Sequence, residues 1–82
     1  MPTVLRFDGL RVVIYPNDHR PAHVHVIGRG REAVFRLNLR DGLVDLRESW
    51  RFSKRELAHI QKVLVEHLEE LHLAWEGIHG AS

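Results

Sequence analysis

The sequence predicts an α+β domain: an antiparallel β-meander of four to five strands, followed by one long C-terminal α-helix packed on one face of the sheet. Residues 1–46 alternate between apolar and polar side chains and are interrupted by turn residues, which is typical of strands. Residues 53–76 instead repeat apolar side chains at steps of three and four, which is typical of an amphipathic helix. The length of 82 residues predicts a single domain, residues 1–82.

Turn residues set the boundaries of the predicted strands. Asp8-Gly9 is a typical two-residue hairpin turn, and Gly28-Arg29-Gly30-Arg31 and Asp41-Gly42 mark two later turns. The segment 16–21 contains two prolines and cannot continue a central strand. The segments between these turns are residues 3–7, 10–15, 22–27, 32–39 and, for a short fifth piece, 43–46.

The predicted helix has a well-marked start. Ser53 and Glu56 have the spacing of a capping box, and Phe52 and Leu57 have the spacing of a hydrophobic staple. Gly77 is expected to end the helix. The apolar stripe expected to cover the sheet consists of Leu57, Ile60, Leu64, Leu68, Leu71 and Trp75.

The other face of the sheet is predicted to carry a pair of histidines. His23 and His25 are two residues apart on a strand, so both rings leave from one face, away from the helix. If Ile27 pairs with Glu32, His23 lies opposite Arg36. A slip of one residue in the register would exchange the two faces.

One interpretation of this face is RNA binding or metal-independent RNA cleavage. A neutral and a protonated imidazole, here His23 and His25, can act as base and acid on a ribose 2′-hydroxyl and a leaving oxygen. Arg11 and Arg36 would contact phosphate, and Tyr15 would stack on a base. In this interpretation no cofactor is required.

A second interpretation is a transition-metal site. His19, His23 and His25 have a spacing that can hold zinc, nickel or copper, and Asp18 is available as a fourth ligand. A third possibility is that these histidines only face solvent or order the preceding turn, and the sequence leaves all three open.

The composition excludes several classes of protein. The chain has no cysteine, which rules out disulfides, thiolate zinc sites and iron–sulfur clusters. It has no apolar run long enough for a transmembrane helix and no signal-peptide pattern at its start, so we expect a cytoplasmic protein.

Charge is distributed unevenly along the chain. Residues 1–55 carry eleven Lys/Arg and six Asp/Glu, a balance of +5, whereas residues 56–82 carry one Lys and five Glu, a balance of −4. Glu66, Glu69 and Glu70 lie on the predicted helix, where they suggest a non-catalytic interaction module that binds a small partner protein or a second copy in a homodimer.

Several of these motifs together resemble a bacterial family catalogued as a domain of unknown function. The resemblance rests on Met1-Pro2-Thr3-Val4, on the stretch from Tyr15-Pro16-Asn17-Asp18-His19 to His23-Val24-His25-Val26, on Phe52-Ser53 with Glu56-Leu57, and on Trp75. Pro21-Ala22 departs from the two prolines usual in that family. The resemblance implies a protein encoded beside another small protein, in the manner of a toxin–antitoxin pair, and implies no established catalytic residues.

Overall fold

The computed structural model describes residues 3–80, so Met1 and Pro2 of the opening motif lie outside the described part. The elements are β1 (Thr3–Phe7), β2 (Leu10–Val13), β3 (His23–Gly28), β4 (Arg31–Asn38), β5 (Leu43–Trp50), α1 (Lys54–Glu66) and α2 (Leu68–His79). The strands form one antiparallel sheet in the order β1-β2-β3-β4-β5. The predicted α+β meander is therefore confirmed, with a fifth strand that continues beyond residue 46.

Two of the hairpins close with tight turns that need positive φ angles. Asp8 and Gly9 have φ of 51° and 77°, and Arg29 and Gly30 have φ of 56° and 73°. Turns with two positive φ angles match the twist of the strands that they join. Gly28 precedes the second turn, and a Cβ atom there would lie 2.9 Å from the carbonyl oxygen of Gly9. A side chain at Gly28 would thus push the first hairpin away from the third strand.

The strand register is the one that the turns predict. Ile27 pairs with Glu32, and His23 pairs with Arg36. This register gives the sheet one apolar face, which the helices cover. The core consists of Leu10, Val12, Ile14, Ala22, Val24, Val26, Ala33, Phe35, Leu37 and Val44 from the β-half with Ile60, Leu64, Leu68, Leu71 and Trp75 from the helices.

The single long helix that the sequence predicts is divided into α1 and α2. The break lies at His67, whose ring Nδ1 donates to the Val63 carbonyl oxygen at 2.9 Å. The backbone N–H of His67 bonds instead to Leu64, at 3.1 Å, so the side chain takes the acceptor that the backbone would use in a regular helix. The helical region also continues through Gly77 and ends at Gly80, which has a φ of 81°. Within residues 3–80, neither helix has the length and apolar character needed to cross a bilayer.

The predicted start of α1 is confirmed. Glu56 N donates to Ser53 Oγ at 3.1 Å, and Ser53 N donates to Glu56 Oε1 at 2.9 Å. The donation from the Ser53 backbone is the main reason that the pKa of Glu56 is lowered, and the guanidinium of Arg31 adds to it. Phe52 and Leu57 pack against the core on either side of this capping box.

Candidate metal centre and basic depression

Three side chains converge on one point beside the start of β3. Asp18 Oδ2 lies 3.2 Å from Nε2 of His23 and 3.2 Å from Nε2 of His25. Their side chains are only 19%, 21% and 15% exposed, in that order. We call this group the Asp18 cluster. Its three ligand atoms all lie within 4.8 Å of one another, so one ion can contact them all.

The local fold explains why these groups meet. The two-residue period of β3 sends the rings of His23 and His25 to one side, with centroids 5.4 Å apart. Asp18 lies in the turn after β2, where its backbone N–H bonds to the carbonyl oxygen of Tyr15 at 3.0 Å. The Tyr15 ring packs edge-on against the His25 ring at 4.6 Å. The turn is thereby folded back over the start of β3.

The second nitrogen of each imidazole is also held. His23 Nδ1 lies 2.9 Å from the carbonyl oxygen of Pro21, and His25 Nδ1 lies 3.3 Å from Oε2 of Glu32. Carbonyl and carboxylate oxygens only accept, so each Nδ1 carries the hydrogen. A neutral ring then directs the Nε2 lone pair at the Asp18 oxygen, which is itself an acceptor. The three facing atoms repel one another unless protons on the rings or a metal ion lie among them.

The spacing of the Asp18 cluster suits a small divalent metal. Zinc bonds to imidazole nitrogen and carboxylate oxygen at about 2.0–2.2 Å, so neighbouring ligand atoms in a tetrahedral site are about 3.3 Å apart. The two oxygen-to-nitrogen distances of 3.2 Å agree with this value. A carbonyl or carboxylate behind each imidazole is also the usual arrangement that orients metal-bound histidine.

An open depression of about 500 Å³ borders the cluster, and we call it the basic depression. Its lining residues are His19, Arg20, Pro21, His23, Val34, Arg36, Arg47 and Glu48. The β4–β5 register shifts between Val34 and Phe35, which leaves Arg47 as an extra residue in β5. A bulge of this kind redirects a side chain. It explains how the adjacent residues Arg47 and Glu48 both line the depression.

The predicted site residues are distributed between these two features. His19 is exposed and lines the basic depression, outside the three-residue Asp18 cluster. Arg36 lines the same depression, and Tyr15 contacts His25. Arg11 pairs with Ile27 and belongs to neither feature.

Other residues of the site were not identified from the sequence. Glu32 is the diagonal neighbour of His25 in the predicted pairing, so the sequence did contain the signal for it. Arg47 and Glu48 were missed because the fifth strand was expected to end at residue 46.

His23 also contacts the helical layer, although the sequence predicts that its ring faces away from the helix. Its ring centroid lies 5.2 Å from that of Trp75, which is fully buried. His79 stacks on Trp75 at 3.8 Å. The Trp75 indole therefore contacts two imidazoles, those of His23 and His79.

Comparison with family models assigns the chain to a family. The model of a domain of unknown function, DUF4160, matches residues 9–76. The chain belongs to this family. The DUF4160 match includes the Asp18 cluster and every residue lining the basic depression. No significant match was found among curated proteins or among solved structures. The family is described by its domain alone, and the geometry of the site is what indicates a function.

Proposed function

We propose that this chain is a metal-binding module in which Asp18, His23 and His25 hold one divalent transition metal ion. The observation that carries the proposal is the convergence of three ligand atoms while both remaining ring nitrogens are already engaged. Two imidazoles and a carboxylate suit zinc best, with nickel or copper as the alternatives. The lack of cysteine agrees with a nitrogen and oxygen ligand set.

Three protein ligands leave a coordination position for a further group. In zinc sites this number of ligands is typical of centres that bind water or substrate, where the metal supplies Lewis acidity. In this chain Pro21 and Glu32 orient the two imidazoles, and Asp18 supplies the negative charge. The half-buried position limits competition from bulk water for the same ligands.

The direct test is zinc titration of the full chain, purified without a histidine tag and stripped of metal. We expect one zinc per chain by calorimetry and elemental analysis, and loss of that site in Asp18→Asn and His23→Ala. The matched controls are Asp8→Asn and His59→Ala, because Asp8 and His59 form a separate ion pair elsewhere on the surface. The proposal fails if Asp18→Asn binds zinc as tightly as the unmodified chain.

The second candidate is metal-independent RNA cleavage by the same two imidazoles. It is supported by the basic depression, which places Arg36 beside His23. His23 and His25 would be the acid and base, with Arg36 and Tyr15 as contacts to phosphate or base. Arg11, which the sequence also suggested as a contact, lies outside both features. Ribonuclease activity that persists in EDTA and disappears in His23→Ala would favour this candidate over the metal centre.

A partner protein is compatible with either candidate. We propose that the chain acts in the cytoplasm with a small partner, as in a toxin–antitoxin pair, or as a homodimer. This is supported by the exposed apolar residues Leu43 and Trp50 on the edge strand β5 and by the acidic residues of the helices. Replacement of Glu66, Glu69 and Glu70 by Gln should lower the oligomer mass at low salt. An unchanged mass would exclude a role for these residues in assembly.

A further inference from the structure

The positive charge of the basic depression is only partly neutralised. Arg20 pairs with Glu76 at 3.4 Å, whereas Arg36 and Arg47 form no ion pair with any residue in the range 3–80. Glu48 is the one carboxylate among the lining residues. The depression therefore has an excess of positive charge that an anionic ligand can balance.

Arg36 provides the second observation. Its Nε is buried, and no acceptor for it lies within the described residues. Asp45 is its neighbour in the β4–β5 register, yet the two form no ion pair in the described structure. A buried donor without an acceptor is costly, and an incoming oxyanion would remove that cost. Arg36 also lies directly opposite His23, the residue shared by the depression and the Asp18 cluster.

We propose that the basic depression binds the phosphate group of a phosphate ester beside the metal. Arg36 and Arg47 would donate to the phosphate oxygens, because the planar guanidinium matches the geometry of phosphate. The volume of about 500 Å³ exceeds what one phosphate group needs and leaves space for the organic part of the ester. This inference rests on the proposed metal centre, because the ligand His23 also lines the depression.

The experiment measures the binding of two probes to the full chain loaded with zinc. The probes are inorganic phosphate and a short single-stranded RNA without terminal phosphates. We expect saturable binding that Arg36→Gln and Arg47→Gln each weaken about tenfold, the effect of losing one hydrogen bond between charged groups. Arg6→Gln is the matched control, since Arg6 is an exposed arginine of β1 outside the depression. Binding of the RNA in preference to phosphate would identify the diester backbone as the source.

Glu48→Gln gives a test in the opposite direction. Removal of the negative charge should strengthen phosphate binding roughly two- to fivefold, the size expected for one exposed charge pair. One zinc should still bind in Arg36→Gln, Arg47→Gln and Glu48→Gln, with an affinity changed by no more than the few-fold effect of one nearby charge, because none of these residues belongs to the Asp18 cluster.

A separate zinc titration of every variant distinguishes failure of this inference from failure of the metal centre. Zinc binding without phosphate or RNA binding overturns the phosphate inference and leaves the metal centre standing. Phosphate binding that is unchanged by the removal of zinc and by Asp18→Asn also overturns the inference. Equal weakening by Arg6→Gln and Arg36→Gln would indicate diffuse charge attraction and would overturn it as well.

Discussion

Within residues 3–80, histidine meets aspartate at two sites, the Asp18 cluster and the Asp8–His59 pair, which use the same residue types in different surroundings. His59 contacts Asp8 at 2.8 Å, with side chains 57% and 62% exposed, whereas the Asp18 cluster brings two largely buried rings onto one oxygen. In the cluster, Nδ1 of each ring has a hydrogen-bond partner, whereas within residues 3–80 no acceptor lies at Nδ1 of His59. The difference indicates that a site is made by convergence, shielding and fixed ring orientation, rather than by residue type.

The largest expected difference between the two contacts is their response to zinc. A ligand that binds only the folded state raises the free energy of unfolding by about 2.7 kcal/mol when its concentration is about one hundred times its Kd. For a domain of this size that corresponds to a rise in Tm of about 10–20 °C. We expect this rise in the unmodified chain and in His59→Ala, and its loss in His25→Ala, by thermal unfolding monitored with circular dichroism. A chelator should reverse it. Equal rises in all three proteins would contradict the distinction between the two contacts.

Variants of Glu32 test whether the hydrogen bond at Nδ1 of His25 contributes to zinc affinity. Groups that orient a metal-bound histidine typically account for a factor of about 10–100 in metal affinity. Glu32→Ala should weaken zinc binding by that factor, and Glu32→Gln by less, because the amide oxygen still accepts from Nδ1 of His25. Zinc calorimetry measures both.

The matched control for Glu32 is Glu48→Ala, which removes a carboxylate from the same face without touching either ring. An equal loss of zinc affinity in Glu32→Ala and Glu48→Ala would show that only the overall charge matters.

The capping box provides a carboxylate of a different kind, held by the backbone instead of by a ring. The pKa of Glu56 is lowered in the folded state, mainly by the hydrogen bond from the Ser53 backbone. Because the pKa is lower in the folded state, this interaction stabilises the protein at pH values above the unfolded pKa of about 4.5. The stabilisation is lost as the pH falls through the folded pKa. The difference in Tm between the unmodified chain and Glu56→Gln should therefore shrink in acid.

Ser53 contributes the other half of the same box. Ser53→Ala should cost about 1 kcal/mol in the free energy of unfolding, measured by urea denaturation. Ser53→Thr is the control, since it keeps the oxygen that accepts from Glu56 N. A loss in Ser53→Thr as large as in Ser53→Ala would mean that the cap is not the cause.

Local patterns were sufficient to predict much of this structure. The turn at Asp8-Gly9 and the two-residue period of β3 predicted the sheet and the shared side of His23 and His25, because both depend on short-range backbone geometry. The break at His67 was not predicted, since a side chain there competes with the backbone for one carbonyl. The position of Arg47 depends on a bulge in the pairing of β4 with β5, which the alternation of apolar and polar residues does not indicate.

The smallest expected effect belongs to the exposed contact between Asp8 and His59. An ion pair whose side chains are both more than half exposed contributes little to the free energy of unfolding. Water screens the two charges, and two side chains must be ordered to form the pair. A double-mutant cycle with Asp8→Asn and His59→Gln should give a coupling free energy of about 0–1 kcal/mol in urea denaturation. The same cycle with Asp18→Asn and His25→Gln, measured as zinc affinity, should be strongly non-additive, since either change alone already removes a ligand. If the exposed pair showed the stronger coupling, burial and convergence would not be what separates the two contacts.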